Sequence, residues 1–378
     1  MNFRTLLLML PLSLLASDIT TRRVPENGIQ PQTALDAKGG LHLIYFKGEH
    51  GAGDLFYVKS ADGGNTFSAP LRVNSVPKSA IATGNIRGAH VALAKNGRVH
   101  VAWMGSGAAT PRGPNKETPM LYARLNDAGT AFEEQRNVIT RNYGLDGGGT
   151  VAADSAGDVF VFWHGQGAPD VRGEENRRVW VARSTDDGKT FVPEISALKD
   201  PTGVCGCCGM SAFGDSKGNV FALYRAASEK TERGMWLLAS KDKGASFSDT
   251  KLDDWKVNTC PMSSSVFNEG SRGVLGAWEN NGQVFFTAVG ANSSPASAIA
   301  APGNAKGRKH PALASNAAGE ILLAWTEGMG WDRGGTMVWQ LYDKDGKPTA
   351  QKGSAPGVPK WSLVAAYARP DGGFTILY

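Results

Sequence analysis

The cysteines are the residues of this chain whose types and spacing could carry the most chemistry. Three of the four lie within four positions, in the segment GVCGCCGM at residues 203–210, and they are Cys205, Cys207 and Cys208. The fourth, Cys260, follows in NTCPMS. Thiols at this density form disulfide bonds, bind a soft metal ion or serve redox chemistry. The choice among these depends on the compartment and on the fold.

The first 17 residues have the pattern of a secretory signal peptide. Arg4 precedes an apolar run from Leu6 to Ala16, with small residues where a signal peptidase cuts. The run is shorter than the roughly 20 apolar residues of a transmembrane helix, and no other segment approaches that length. We therefore expect a secreted or periplasmic chain without a membrane span, with one domain over residues 18–378.

Export makes disulfide bonds the default for four cysteines. In an extended segment Cys205 and Cys207 point to one side and Cys208 to the other. We therefore expect Cys207 or Cys208 to pair with Cys260, and the remaining two cysteines to pair locally. A bond that closes a loop of roughly 50 residues stabilises by about 4 kcal/mol in the chain-entropy model.

A metal site is the alternative use of the cysteines, and a redox centre is a third. Thiolate, imidazole and thioether groups suit Cu(I) or zinc. No paired C-x-x-C or H-x-x-x-H spacing is present, and the default remains that the chain holds no cofactor. The candidate metal ligands are Cys207, Cys208, Cys260, His164, His310 and Met262.

The charge balance gives no sign of a nucleic-acid partner, and we expect none. Lys and Arg number 40 against 35 Asp and Glu, and the formal net charge is +5. Removal of Arg4 with the signal lowers this by one, and no basic tail or stripe is present. We expect a monomer whose partner is a glycan or another small polar ligand.

The chain repeats one supersecondary unit. Seven segments, from GGLHLIYF to GGFTILY, each contain a short apolar strand that follows a glycine turn and ends on an aromatic residue. These aromatic residues recur roughly every 50 to 60 positions. In the first six units two more strands follow. The closing aromatic residues are Tyr45, Trp103, Trp163, Tyr224, Trp278, Trp325 and Tyr378.

Repeated units of four antiparallel strands are typical of a β-propeller. We predict an all-β propeller of four-stranded blades, with seven blades from the hairpin count and six as the alternative. The last hairpin lacks its outer strands. Residues around DITTRRVP, near the N-terminus, would then supply one of them and close the ring.

Three turns between the third and fourth strands share the pattern S-x-D-x-G-x-[TS]-F. They are SADGGNTF at 60–67, STDDGKTF at 184–191 and SKDKGASF at 240–247, with a weaker copy at 125–132 that keeps Asp127. Asp at this spacing accepts hydrogen bonds from the turn's own backbone, and Gly permits a positive φ. The three aspartates, which we read as fold residues, are Asp62, Asp186 and Asp242.

This pattern resembles the Asp-box, or BNR, repeats of the sialidase superfamily, from about residue 28 to the end. The C-x-C-C motif, followed one blade later by Cys260 and Pro261, resembles a group of exported bacterial sialidase-like proteins. The resemblance implies a propeller of glycosidase type. Typical sialidases have six blades, and their Asp boxes are structural.

In a propeller, the loops that precede the first strand and those that follow the second emerge on one face. The first set holds Arg87, His90, Asp146, the four cysteines, Met262, Arg308, His310, Lys360 and Trp361. The second set holds Met104, His164, Gln166, Arg225, Glu279, Asn280, Glu327 and Trp331. Their convergence around a central channel predicts a polar pocket edged by aromatic residues.

The sialidase resemblance implies three arginines for a substrate carboxylate, and Arg87, Arg225 and Arg308 lie on three blades. It also implies a Tyr nucleophile, but Trp361 and Ser362 stand where a Tyr-Ser pair would be. Two-carboxylate chemistry would use a pair of acids. The candidates are Asp146, Glu279 and Glu327, and the alternative is that these acids pair with Arg225 or Arg308.

Three functional hypotheses follow. The first is an exported sialidase-like propeller that binds a glycan or another polar or anionic ligand in its central pocket. The second is an exo-glycosidase of sialidase type. The third is a propeller that binds copper or zinc through its thiols. The predicted ligand residues are Arg87, His90, His164, Arg225, Arg308, His310 and Trp361.

Overall fold

The computed structural model describes residues 17–200, 202–229, 231–291, 295–304 and 306–378, so the predicted signal peptide lies outside these residues apart from Ser17. The described residues form 27 strands and four short 3-10 turns. No helix among them is both long and apolar enough to cross a membrane. The turns are Pro25–Asn27, Lys95–Gly97, Pro114–Lys116 and Glu174–Asn176.

The strands are β1 Ile19–Arg22, β2 Ile29–Leu35, β3 Leu41–Glu49, β4 Ala52–Ser60, β5 Leu71–Arg72, β6 His90–Leu93, β7 Val99–Met104, β8 Met120–Arg124, β9 Arg136–Asn137, β10 Gly149–Ala153, β11 Val159–Gly165, β12 Arg178–Ser184, β13 Val192–Ser196, β14 Ser211–Gly214, β15 Val220–Arg225, β16 Met235–Ser240, β17 Ser248–Lys251, β18 Ser265–Gly270, β19 Gly273–Asn280, β20 Gln283–Val289, β21 Ile299–Ala300, β22 Arg308–Ser315, β23 Ile321–Glu327, β24 Gly335–Tyr342, β25 Pro348–Val358, β26 Ala365–Ala368 and β27 Phe374–Leu377.

The strands form seven sheets arranged as the blades of a propeller. Six sheets consist of four consecutive antiparallel strands, from β2–β5 to β22–β25. The seventh has the order β1-β27-β26, in which β1 lies parallel to β27 with Ile19 opposite Phe374. The prediction of seven blades, with an N-terminal segment that closes the ring, is therefore confirmed.

The core lies between neighbouring blades. Blades two, three and five each carry a tryptophan near the end of the second strand, and these residues are at most 1% exposed. They are Trp103, Trp163 and Trp278. Trp103 packs in one cluster with Phe46 and Leu55 of the preceding blade. Full burial of a large apolar side chain contributes about 2 to 3 kcal/mol. Packing of the repeated aromatic residue therefore stabilises the contact between neighbouring blades.

The three S-x-D-x-G turns make the hydrogen bonds that their sequence predicts. Asp186 Oδ1 accepts from the backbone N–H of Thr190 at 2.9 Å and from Ser184 Oγ at 2.7 Å, and Oδ2 accepts from Thr190 Oγ1 at 2.6 Å. The Ser184 hydroxyl accepts from the backbone N–H of Gly188. Asp62 and Asp242 have the same pattern. These aspartates organise their own turns.

The aromatic residue of each turn anchors it to the preceding blade. Phe191 packs edge-on against Tyr122 with ring centroids 4.8 Å apart, and Phe247 packs in the same way on Phe162. The aromatic position therefore connects two sheets, which explains why the motif keeps phase with the strands.

The weaker copy at 125–132 uses a different acceptor from the one expected. Asn126 Oδ1, one position earlier, accepts from the backbone N–H of Thr130 at 3.0 Å. Asp127 instead pairs with Arg98. The turn geometry is preserved because an amide oxygen can accept the same kind of bond.

Replacement of Asp186 with alanine is expected to lower the free energy of unfolding by about 1 to 2 kcal/mol, because the turn loses its acceptors. Asp186→Asn, which keeps one oxygen acceptor, should lose less. Urea unfolding of the three proteins measures this difference. Equal stability of wild type and Asp186→Ala would show that the turn bonds contribute nothing.

The same aspartates predict an acid-sensitive contribution. Partial burial raises the pKa of Asp186, but hydrogen bonds from Thr190 and Ser184 lower this pKa by a larger amount. The net result is a pKa of about 2 instead of the usual 3.8. A pKa lowered in the folded state gives stability that is present above pH about 4 and is lost as the pH falls towards 2. The stability difference between wild type and Asp186→Ala should therefore shrink over that range in urea titrations.

Candidate functional site

The loops that lead into the first strands surround the mouth of the central channel. In or just before five of these first strands, a non-glycine residue has a positive φ, a conformation that costs about 1 kcal/mol or more. Two of these residues sit where strand pairing shifts register, in β2 and β22. Strained positions of this kind cluster at functional sites. The five are Gln30, Asn85, Met262, His310 and Trp361, with φ of 54°, 62°, 49°, 51° and 60°.

Side-chain amides hold these loops to one another. Gln30 Nε2 donates to the carbonyl oxygens of Ala82 at 2.6 Å and Trp361 at 2.7 Å. Asn85 Nδ2 donates to the carbonyl of Ser362 at 2.8 Å. The loops of blades seven, one and two are therefore joined, and the face is held rigid where the ring closes.

The channel itself has a volume of about 410 Å³ and is lined mainly by the first strands of the blades. His90 lines this channel, whereas the other predicted ligand residues do not. Burial lowers the pKa of His90 to about 4, so its imidazole is neutral at pH 7. Of the predicted ligand residues, His90 therefore lies in the central channel and the others lie outside its lining.

The predicted arginines and the predicted acids pair with one another. Pairing of the acids with arginines is the alternative that the sequence left open, and it is observed for Arg225 and Arg308. Each guanidinium already has a carboxylate partner from the candidate list. The pairs are Arg87 with Asp146 at 2.7 Å, Arg225 with Glu279 at 3.5 Å, and Arg308 with Glu327 at 3.1 Å.

The three pairs differ in exposure. Arg225 and Glu279 have side chains only 1% exposed, so no ligand reaches them. Burial raises the pKa of the Glu279 carboxyl, and Arg225 opposes this shift. Asp146, by contrast, is 46% exposed beside Arg87. The Arg87–Asp146 pair is the one that a ligand at the mouth can contact most readily.

Two of the three predicted histidines, His164 and His310, make hydrogen bonds within the protein. His164 Nε2 accepts from the backbone N–H of Gly147 at 3.0 Å, and its Nδ1 lies 3.0 Å from Arg177 Nη1. His310 lies between Ser264 Oγ and the Asn85 amide. Burial lowers both pKa values, to about 3. Both imidazoles are neutral and serve packing.

A pair of indole rings stands at the mouth. Trp331 is 55% exposed, and its ring packs edge-on against Trp361 with centroids 4.9 Å apart. Trp361 Nε1 donates to Asp332 Oδ1 at 2.9 Å, and Lys360 Nζ pairs with the same oxygen. The His50 ring lies 5.7 Å from Trp361. Trp331 is the exposed tryptophan among the described residues.

Glycine at position 84 keeps the space between these groups open. A Cβ there would lie 2.7 Å from Arg87 Nη1, 3.5 Å from Trp331 Cζ3 and 3.6 Å from Met262 Cε. Gly84 also has φ +88°. A guanidinium edge, an indole and a thioether thus meet around one point beside the channel.

The cysteine segment is a turn, and the extended conformation expected from the sequence is wrong. Residues 206 and 207 form the turn, and the sulfur atoms of Cys205, Cys207 and Cys208 lie within 4.8 Å of one another. Cys260 is exposed and lies outside this group. All four thiols are free here, so the predicted bond to Cys260 is not formed. Among the described residues, the group that could share an ion contains Cys205, Cys207 and Cys208 but not Cys260, His164 or His310.

Three residues around this turn were not predicted from the sequence. Glu174 Oε1 accepts from the backbone N–H of Gly206 at 2.5 Å, and Glu174 Oε2 pairs with Arg233 at 2.7 Å. Arg177 donates to the carbonyl of Gly144 at 2.7 Å besides contacting His164. These residues come from loops after the second strands, where no local pattern marks them.

No protein-family model matches this chain, and no curated protein matches it in sequence. Solved structures do match. The alpha-L-arabinanase of Penicillium chrysogenum, complexed with arabinobiose, superposes with a TM-score of 0.50 at 15% identity, over 85% of this chain and 95% of that one. The Hadza microbial sialidase Hz136 superposes with a TM-score of 0.51 at 16% identity, over 83% and 68%. The chain therefore has a propeller fold similar to that of known glycosidases.

Proposed function

We propose that this chain is an exported β-propeller that binds a saccharide at the mouth of its channel and does not cleave it. The observation that carries the proposal is the exposed Trp331, supported by Trp361 and close to the Arg87–Asp146 pair. The folds of the arabinanase and the sialidase support the saccharide class.

The chemistry of the mouth suits a sugar. An indole face packs against the C–H face of a pyranose or furanose ring, and polar groups at its edge bind hydroxyls. Arg87 with Asp146 and Lys360 with Asp332 carry opposite charges that cancel in pairs. The mouth therefore favours a neutral saccharide over an anionic one.

The three acids predicted to be catalytic are each paired with an arginine. Glycoside hydrolysis needs two accessible carboxyl groups about 5 to 9.5 Å apart. Glu279 is buried against Arg225, and Glu327 holds both Arg308 and the Trp325 indole N–H, the latter at 2.9 Å. Among the three predicted catalytic acids, Asp146 is the one that is more than a third exposed, which supports binding without turnover.

Calorimetric titration with arabinobiose and with sialyllactose tests the proposal. Wild type should bind arabinobiose more tightly than sialyllactose, and Trp331→Ala should raise the Kd at least about 30-fold, as for an aromatic anchor. Ile195→Ala, which removes an exposed apolar side chain on the outer strand β13, is the matched control and should bind normally. Unchanged affinity in Trp331→Ala, or no binding by wild type, overturns the proposal.

A further inference from the structure

We propose that Cys205, Cys207 and Cys208 together bind one Cu(I) ion through their three sulfur atoms. The site adjoins the saccharide mouth, since a Cβ at Gly206 would lie 3.3 Å from Asp146 Oδ2, but its ligand side chains are not those of the mouth. Cys205 and Cys208 are buried, and Cys207 is partly exposed, so an ion has a route to the cluster.

The spacing of the sulfur atoms fits a shared ion. The three atoms lie within 4.8 Å of one another, and Cys205 Sγ is 3.3 Å from Cys207 Sγ. Three thiolates about 2.3 Å from a common ion, arranged in a trigonal plane, are about 4 Å apart. The cluster therefore reaches coordination geometry with shifts of less than about 1 Å.

The turn is held at both ends and in the middle. Cys205 N–H donates to the carbonyl of Arg225 at 2.9 Å, and Gly209 N–H donates to the carbonyl of Ser263 at 2.9 Å. The backbone N–H of Gly206 is bound by Glu174. Sites whose backbone is fixed before binding lose less entropy when the metal enters.

Two buried arginines supply charge and unused hydrogen-bond donors beside the thiols. Arg225 and Arg233 are 1% and 6% exposed, and Arg225 Nε with Arg233 Nε and Nη1 have no hydrogen-bond partner. Each arginine also pairs with one glutamate, Arg225 with Glu279 and Arg233 with Glu174.

The number and type of ligands favour Cu(I) over zinc. Structural zinc sites use four protein ligands, whereas this turn presents three thiols. Among the described residues, Cys260, His164 and His310 lie outside the group that could share an ion. Soft thiolates in a three-coordinate set select Cu(I). A bound ion would also keep an odd number of clustered thiols from partial oxidation in an oxidising compartment.

Competition binding on the reduced mature chain tests the site. Cu(I) is supplied as its acetonitrile complex under anaerobic conditions. The protein should compete with bicinchoninate for this Cu(I) and bind one ion per chain. X-ray absorption should show three Cu–S contacts. Each of Cys205→Ser, Cys207→Ser and Cys208→Ser should raise the Kd at least tenfold. Cys260→Ser, which changes a cysteine outside the cluster, is the matched control and should bind like wild type.

Circular dichroism of each variant separates loss of the site from loss of the fold. Three results would overturn the proposal: no Cu(I) bound by the folded reduced chain, equal weakening by Cys260→Ser, or tighter binding of Zn(II) than of Cu(I) with a fourth protein ligand. A disulfide within the cluster that persists in the exported chain, with no Cu(I) bound after reduction, would do the same.

Discussion

Replacement of Arg225 with alanine should lower the free energy of unfolding by about 3 to 5 kcal/mol, the usual cost of leaving a buried charge unpaired. The Arg225 guanidinium donates to the carbonyl of Arg233 at 2.7 Å, pairs with Glu279 and lies 4.8 Å from the centroid of the Trp255 ring. Without this guanidinium, the Glu279 carboxylate is buried and unpaired between blades four and five, where water does not reach it.

Two further variants make this expectation specific. Arg87→Ala removes an arginine whose partner Asp146 is 46% exposed, so its cost should be below about 1 kcal/mol. Arg225→Met combined with Glu279→Leu removes both charges and should recover much of the loss. Chemical unfolding measures all of these proteins. A loss of less than about 1 kcal/mol in Arg225→Ala would refute the structural role assigned to this pair.

Deletion of residues 18–22 should lower the free energy of unfolding by at least about 4 kcal/mol, because several backbone hydrogen bonds of about 1 kcal/mol each are lost. Phe374 N–H donates to the carbonyl of Asp18 at 2.7 Å, and Tyr378 N–H donates to that of Arg22 at 3.1 Å. Without β1, the last blade keeps two strands and an uncovered edge.

A chain that begins at residue 18 is the matched control and should keep full stability. Hydrogen exchange should show the loss of protection first in β26 and β27, since these strands adjoin the gap. Equal unfolding midpoints for the two chains would show that the N-terminal strand does not close the ring.

The features predicted from the sequence are those that local patterns encode. Each blade repeats the same alternation of side chains in its strands and the same turn residues. The hairpins that contain Trp103 and Trp163 can therefore be recognised from their own sequence alone. The acceptor role of Asp186 was predictable for the same reason, because its donors lie within four residues. The count of seven followed from the hairpins.

The site depends on contacts between loops that are distant in the chain, and these were not predictable. Nothing near Arg225 in the sequence indicates that Glu279, 54 residues later, is its partner. The turn at Gly206 depends on Glu174, 32 residues earlier, and without that contact an extended segment was the natural expectation. Trp331 was placed on the correct face, but its exposure depends on how Trp361 packs.

A proton NMR time course with arabinobiose, and in parallel with sialyllactose, tests binding without cleavage most directly. Saturation transfer from the protein should reach the protons of arabinobiose with wild type and be lost with Trp331→Ala, while the spectra of both saccharides stay unchanged through prolonged incubation. Release of arabinose or sialic acid by wild type, at a rate that falls in Asp146→Asn, would contradict the account and identify the chain as a glycosidase.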